Sequence, residues 1–155
     1  MVAISSYPKY LGWDEFSATC RKILEVIYNL SIISKVQRIG IRYINQFNGD
    51  ISKEINVNLN VDNISGKTNI GNLAFNVKYQ DTDFSSLIQY RVQSGEILSQ
   101  VPITIIDIDT SCSLFHSSEI DYIWDRISEG HNVEKRIFFE LLKTDYIQKL
   151  DPVYE

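Results

Sequence analysis

The sequence predicts an α+β domain. A mainly antiparallel sheet of four to five strands is covered on one side by an N-terminal helix and a long C-terminal helix, making a two-layer sandwich. Three observations carry this reading. An apolar stripe of helical period opens the chain, residues alternating with period two fill its middle, and a second helical stripe closes it.

In "WDEFSATCRKILEVIYNL", Trp13, Phe16, Cys20, Ile23, Leu24, Ile27 and Leu30 recur mostly at steps of three and four. That spacing lines one face of a helix running from about Asp14 to Asn29, with Asp14 and Glu15 placed where the N-terminal end of a helix dipole favours negative charge. The next stretch, "RIGIRYINQF" at 38–47, is a strand. Ile39, Ile41 and Tyr43 point one way, and Arg38, Gly40 and Arg42 the other. "NGD" at 48–50 is a turn signal. Residues 51–65 fit either a strand, through the alternation of "INVNLNVD", or an irregular excursion, through their asparagines.

"NLAFNVKYQ" and "FSSLIQYRVQS" alternate cleanly and are joined by "QDTD", the pattern of an antiparallel hairpin. "VPITIIDIDTSC" supplies the last strand, with Asp107 and Asp109 on one side and Thr104, Ile106 and Ile108 on the other. Pro102 is tolerated at a strand's first residues, where its missing N–H is not needed. From about Ser118 to Leu150 a helical stripe returns through Ile120, Ile123, Ile127, Ile137, Leu141 and Tyr146. "SEGHN" at 128–132 interrupts it, so one long helix or two shorter ones satisfy the pattern.

At 155 residues the chain reads as one domain, 1–155. A net charge of −5 weighs against a nucleic-acid partner, which needs a dominant basic stripe. Cys20 and Cys112 lack CxxC spacing and read as buried free thiols. No apolar run approaches the ~20 residues that span a bilayer, and "MVAISSYPKY" lacks the features of a signal peptide, so no membrane partner and a cytoplasmic location are expected. His116 and His131 are each followed three residues on by a glutamate, Glu119 and Glu134, but neither has a second His or Cys at ligand spacing. No phosphate-binding glycine loop and no nucleophile elbow occurs. No metal, cofactor or catalytic residue is therefore expected.

What remains is the polar side of the strands. It gathers Arg38, Arg42, Lys78 and Arg91 with Asp107 and Asp109, the candidate ligand- or interface-binding residues. Three readings fit: a solvated face laced with ion pairs, an anion site in which guanidinium forks hold phosphate or carboxylate, and an interface with another layer. If their strands are neighbours, Arg42 pairs with Asp107 or Asp109.

The run Arg38–Asn45 fits the motif R-[IL]-G-[IL]-R-Y-[IV]-N. It is accompanied by Trp13 and Phe16 at a "gWeeF" helix start, Asp107 and Asp109 in "lDiD", and His131 with Phe138 near the end. In these the chain resembles a sporadically distributed prokaryotic family of unknown function. The resemblance covers most of the chain and implies the C-terminal portion of a longer protein. It brings no catalytic residue with it, and it raises the interface reading of the charged face. The expected function is a non-enzymatic binding or protein-interaction domain, acting as a homodimer or on a partner protein. The alternative is a small-ligand binder or enzyme for an anionic substrate held on that face.

Overall fold

The structure, a computed structural model, describes residues 1–7, 10, 12–57, 72–93, 101–117 and 119–150. Helix α1 spans Trp13–Asn29, followed by strand β1 at Val36–Asn48 and a short 3-10 turn at Ser52–Glu54. Strands β2 (Asn72–Asp81), β3 (Phe84–Gln93) and β4 (Ile103–Ser117) lead into α2 (Ile120–Leu141) and a last short helix, α3 (Thr144–Lys149). The four strands form one sheet in the order β1-β4-β3-β2, antiparallel throughout. This is the α+β architecture that the alternation and the two helical stripes predict.

The sheet's inner face is largely apolar because most of the alternate residues are, with Ser86, Thr104 and Thr110 buried among them. Ile39 of β1, Phe84, Ile88, Tyr90 and Val92 of β3, and Ile106, Ile108, Cys112 and Leu114 of β4 are buried there with Ile123, Val133, Ile137 and Leu141 of α2. Against these, α2 is seated unusually close. A Cβ added at Gly130 would stand 2.6 Å from Ile41 Cδ1 and 2.9 Å from Phe84 Cε1. The absent side chain thus lets the helix approach the sheet, which offsets the ~1 kcal/mol that glycine costs in a helix interior.

The "SEGHN" stretch leaves α2 unbroken, which selects one long helix over two shorter ones. The break comes later, where Leu142 and Lys143 turn to extended backbone before α3. Other local features differ from the sequence reading. β4 does not end near Cys112 but continues to Ser117, so His116 lies within the strand rather than after it. Its extension pairs with the start of β1 across a register shift between Val36 and Arg38. Residues 55–57 of "INVNLNVD" belong to no named strand; the rest of that stretch lies outside the described residues.

Instead, 51–57 form a clasp on the end of α2. Ile51 and Ile55 are buried, and Ile55 makes an isolated antiparallel bridge to Leu142. The Asn56 amide N–H donates to Leu141 O at 2.8 Å, and its side-chain Nδ2 donates to Glu140 O and Leu142 O at 2.9 and 3.0 Å. Among the described residues, no helix is long and apolar enough to cross a membrane.

Candidate functional site

Both helical segments and the clasp pack on the inner face, and among the described residues no element covers the outer one. Register places the predicted residues on it. Arg42 of β1 is opposite Asp109, Asp107 lies between Ile44 and Gln89, and Lys78 of β2 is opposite Leu87 of β3. Arg91 sits beside Ile105 and Ala74, and Arg38 beside Ser113. All six candidates therefore share one surface, as alternation with period two requires.

They do not act alike. Arg42 grips Asp107 with both teeth of its guanidinium, Nε to Oδ1 at 2.8 Å and Nη2 to Oδ2 at 2.7 Å. The two halves of this pair differ in environment: the arginine side chain is 54% exposed and the aspartate only 2%. Asp107 sits in the second strand of the sheet, hemmed by neighbours on both sides, and its open side is capped by Arg42. The pair is thus stronger than the wholly exposed bridge that the sequence suggested, because a bidentate, charge-assisted contact holds a carboxylate shut off from water. The hydrogen bond to Asp107 also raises the Arg42 pKa further above its ordinary value.

Arg38, Lys78 and Arg91 have no ion-pair partner among the described residues. Arg38 lies along its own strand, with Nη1 3.8 Å from where a Gly40 Cβ would stand. Around these cations the face carries apolar side chains too, including Ile44 at 60% exposure. With four cations against two carboxylates, it is a basic face on a chain whose net charge is −5.

A second polar constellation lies on the inner side, where α1, β1 and α2 meet. The Trp13 indole stacks on the His131 imidazole at 3.9 Å with only 5° between the planes. His131 Nδ1 is 3.1 Å from the Tyr43 hydroxyl, which is in turn 3.1 Å from the Tyr10 hydroxyl. In one consistent polarity Tyr10 donates to Tyr43 and Tyr43 donates to His131, which keeps its own proton on Nε2. Burial holds this imidazole neutral, pushing its pKa down from 6.5 to about 4, with Lys135 adding to the effect. Burial and the bond to Tyr10 raise the Tyr43 phenol in the same sense, disfavouring its anion. One turn along α2, Glu134 is buried without a hydrogen-bond partner among the described residues, and burial lifts its pKa from 4.5 to about 8.

Reading the residues alone did not single out this cluster. The available signal was the position of His131 and Glu134 on the inward stripe of α2, between Ile127 and Phe138, where a core helix carries apolar residues. The stacking partner could not be read locally, because Trp13 arrives from a different helix. Trp13, Tyr43 and His131, from distant points of the sequence, come together here. No group of side chains suited to holding a metal ion gathers among the described residues.

Cys20 and Cys112 are both free thiols, the first half-buried on α1 and the second buried in β4; burial raises the pKa of each.

Comparison with protein-family models, with curated proteins and with solved structures gave no match.

Proposed function

We propose that the protein is a non-enzymatic interaction module that docks a carboxylate-rich partner protein on the outer face of its sheet. One observation carries this reading: Arg38, Lys78 and Arg91 project from three different strands of an uncovered face and have no ion-pair partner among the described residues. Unpaired cations on β1, β2 and β3 stand among apolar side chains of the central strands, Leu87 and Ile105, giving charges that steer and a middle that sheds water. Like charge on like charge disfavours two copies meeting through this face, which favours a partner protein over self-association. The anion-site alternative is weakened at Arg42, whose Nε and one Nη2 donor are already engaged by Asp107. The resemblance to the C-terminal part of a longer prokaryotic family and the two free thiols accord with an intracellular setting and a neighbouring domain or protein as occupant.

The test is a photoreactive residue placed at Leu87, in the middle of the face, in living cells. A discrete cross-linked species is expected, and it disappears when Arg38, Lys78 and Arg91 are all changed to glutamate in a protein of unaltered melting temperature. Absence of any discrete adduct, or an adduct indifferent to the charge reversal, overturns the reading. Thermal stabilisation by phosphate or citrate, lost with Arg38→Gln, would select the anion site instead.

A further inference from the structure

The two main helices share one side of the sheet, yet only one is built into it. Seven residues of α2 are buried, while none of α1 is. Instead the apolar stripe of α1 is only half-buried, with Ile23 and Leu30 exposed, and Val26 beside it stands 56% in water. Its ends are weakly fastened. Gly12 at the N-cap offers no side chain to the free N–H groups, and the C-terminal turn passes through Ser31 in the left-handed region, at φ 54°. Besides Tyr28, which packs against the core, α1 is held by a few latches: the Trp13–His131 stack, Arg21, which pairs with Asp121 at 2.9 Å and lies 5.8 Å from the Trp124 ring centre, and, just before the helix, Tyr10, which bonds Tyr43 and meets Phe16 edge-on. The Tyr28 hydroxyl is buried with no hydrogen-bond partner among the described residues, so the seat is imperfect as well as small.

Beside this loosely held helix lies the group of Tyr43, His131 and Glu134 described above. Few buried contacts and many exposed backbone hydrogen bonds mark a segment that opens at low free energy. We propose that α1 is a hinged cover, pivoting at Leu30–Ser31, which lifts as a unit and uncovers Tyr43, His131 and the unpartnered Glu134 while α2 and the sheet stay folded. These groups lie on the inner side of the sheet, away from the outer face.

The two cysteines are natural reporters of this motion, since Cys20 rides on α1 and Cys112 sits in β4. Hydrogen exchange on the full wild-type chain should release the amides of 13–29 about tenfold or more ahead of those of 123–141. Trp13→Ala, which removes the stack, should speed α1 exchange and Cys20 alkylation about tenfold, leaving Cys112 and α2 unchanged. The proposal fails if α1 and α2 exchange at one common rate in the wild type. It fails equally if Trp13→Ala accelerates Cys112 as much as Cys20, or leaves Cys20 unmoved. Should that variant not fold, the wild-type exchange pattern still decides, and Tyr10→Phe, which removes one hydroxyl, should shift the same reporters in the same direction by less.

Discussion

The two faces of the sheet handle polar groups in opposite ways. On the outer face charge is kept, and the single deeply placed carboxylate, Asp107, is neutralised by an arginine that itself remains half in water. On the inner face charge is suppressed: His131 and Glu134 are buried and both are driven towards their uncharged forms. A side chain left next to solvent can be paired from above, whereas one covered by a helix must find a partner inside or give up its charge. The difference teaches that a sheet face left open among the described residues can keep its charges, whereas the face covered by helices drives its titratable groups towards their neutral forms.

The largest effect expected separates the faces by truncation. Ile106→Ala, on the inner face of β4 and fully buried, should cost about 3–4 kcal/mol in chemical denaturation. Ile44→Ala, on the outer face, should cost under about 0.5 kcal/mol by the same measurement. Comparable losses at the two positions would mean that the outer face is covered in solution.

Next is Arg42→Ala, expected to destabilise by about 2 kcal/mol, because it strands a nearly inaccessible carboxylate. Arg42→Ala in an Asp107→Asn background should cost much less, and the double-mutant cycle isolates the coupling.

A similar effect is expected from pH, and it probes the inner face. Between pH 4.5 and 6.5 the folded chain carries a proton on Glu134, while the unfolded chain carries one on His131. The proton count is equal, so these two groups leave stability flat. From 6.5 to 8 the folded state alone retains its proton on Glu134, and stability should fall as pH rises, by about 2 kcal/mol. Below 4.5 the unfolded chain binds two protons to the folded chain's one, and stability falls again as the folded pKa of His131, about 4, is approached. Glu134→Gln should erase the decline above 6.5, seen as a melting temperature that no longer drops across that window.

The smallest effect belongs to the outer rim. Arg91→Gln and Lys78→Gln should each change stability by under about 0.5 kcal/mol. Their weight should appear only in binding.

How much of this was legible in the sequence depended on how local the cause was. Period-two alternation sorted Arg38, Arg42, Lys78, Arg91, Asp107 and Asp109 onto one face without any knowledge of strand order. The pairing of Arg42 with Asp107 needed one further fact, that β1 and β4 are neighbours, and no local signal states it. The burial of Asp107 was not readable at all, because it arises from Ile44, Gln89 and Arg42 closing around it from other strands. Likewise the Trp13–His131 stack depends on the place where α1 comes to rest. Gly130 shows the same limit: its helical cost is local, while the close approach it allows to Ile41 and Phe84 is not.

The clasp at 51–57 has a consequence for the order in which the molecule assembles. The last carbonyls of α2 are satisfied by Asn56, a residue more than eighty positions earlier in the chain, and not by a neighbouring glycine or side chain. The C-terminal turn of α2 is therefore complete only after the loop following β1 has been delivered to it. Contacts so far apart in sequence close late and slow the search, but once made they join the chain's first strand and its longest helix into a single cooperative unit.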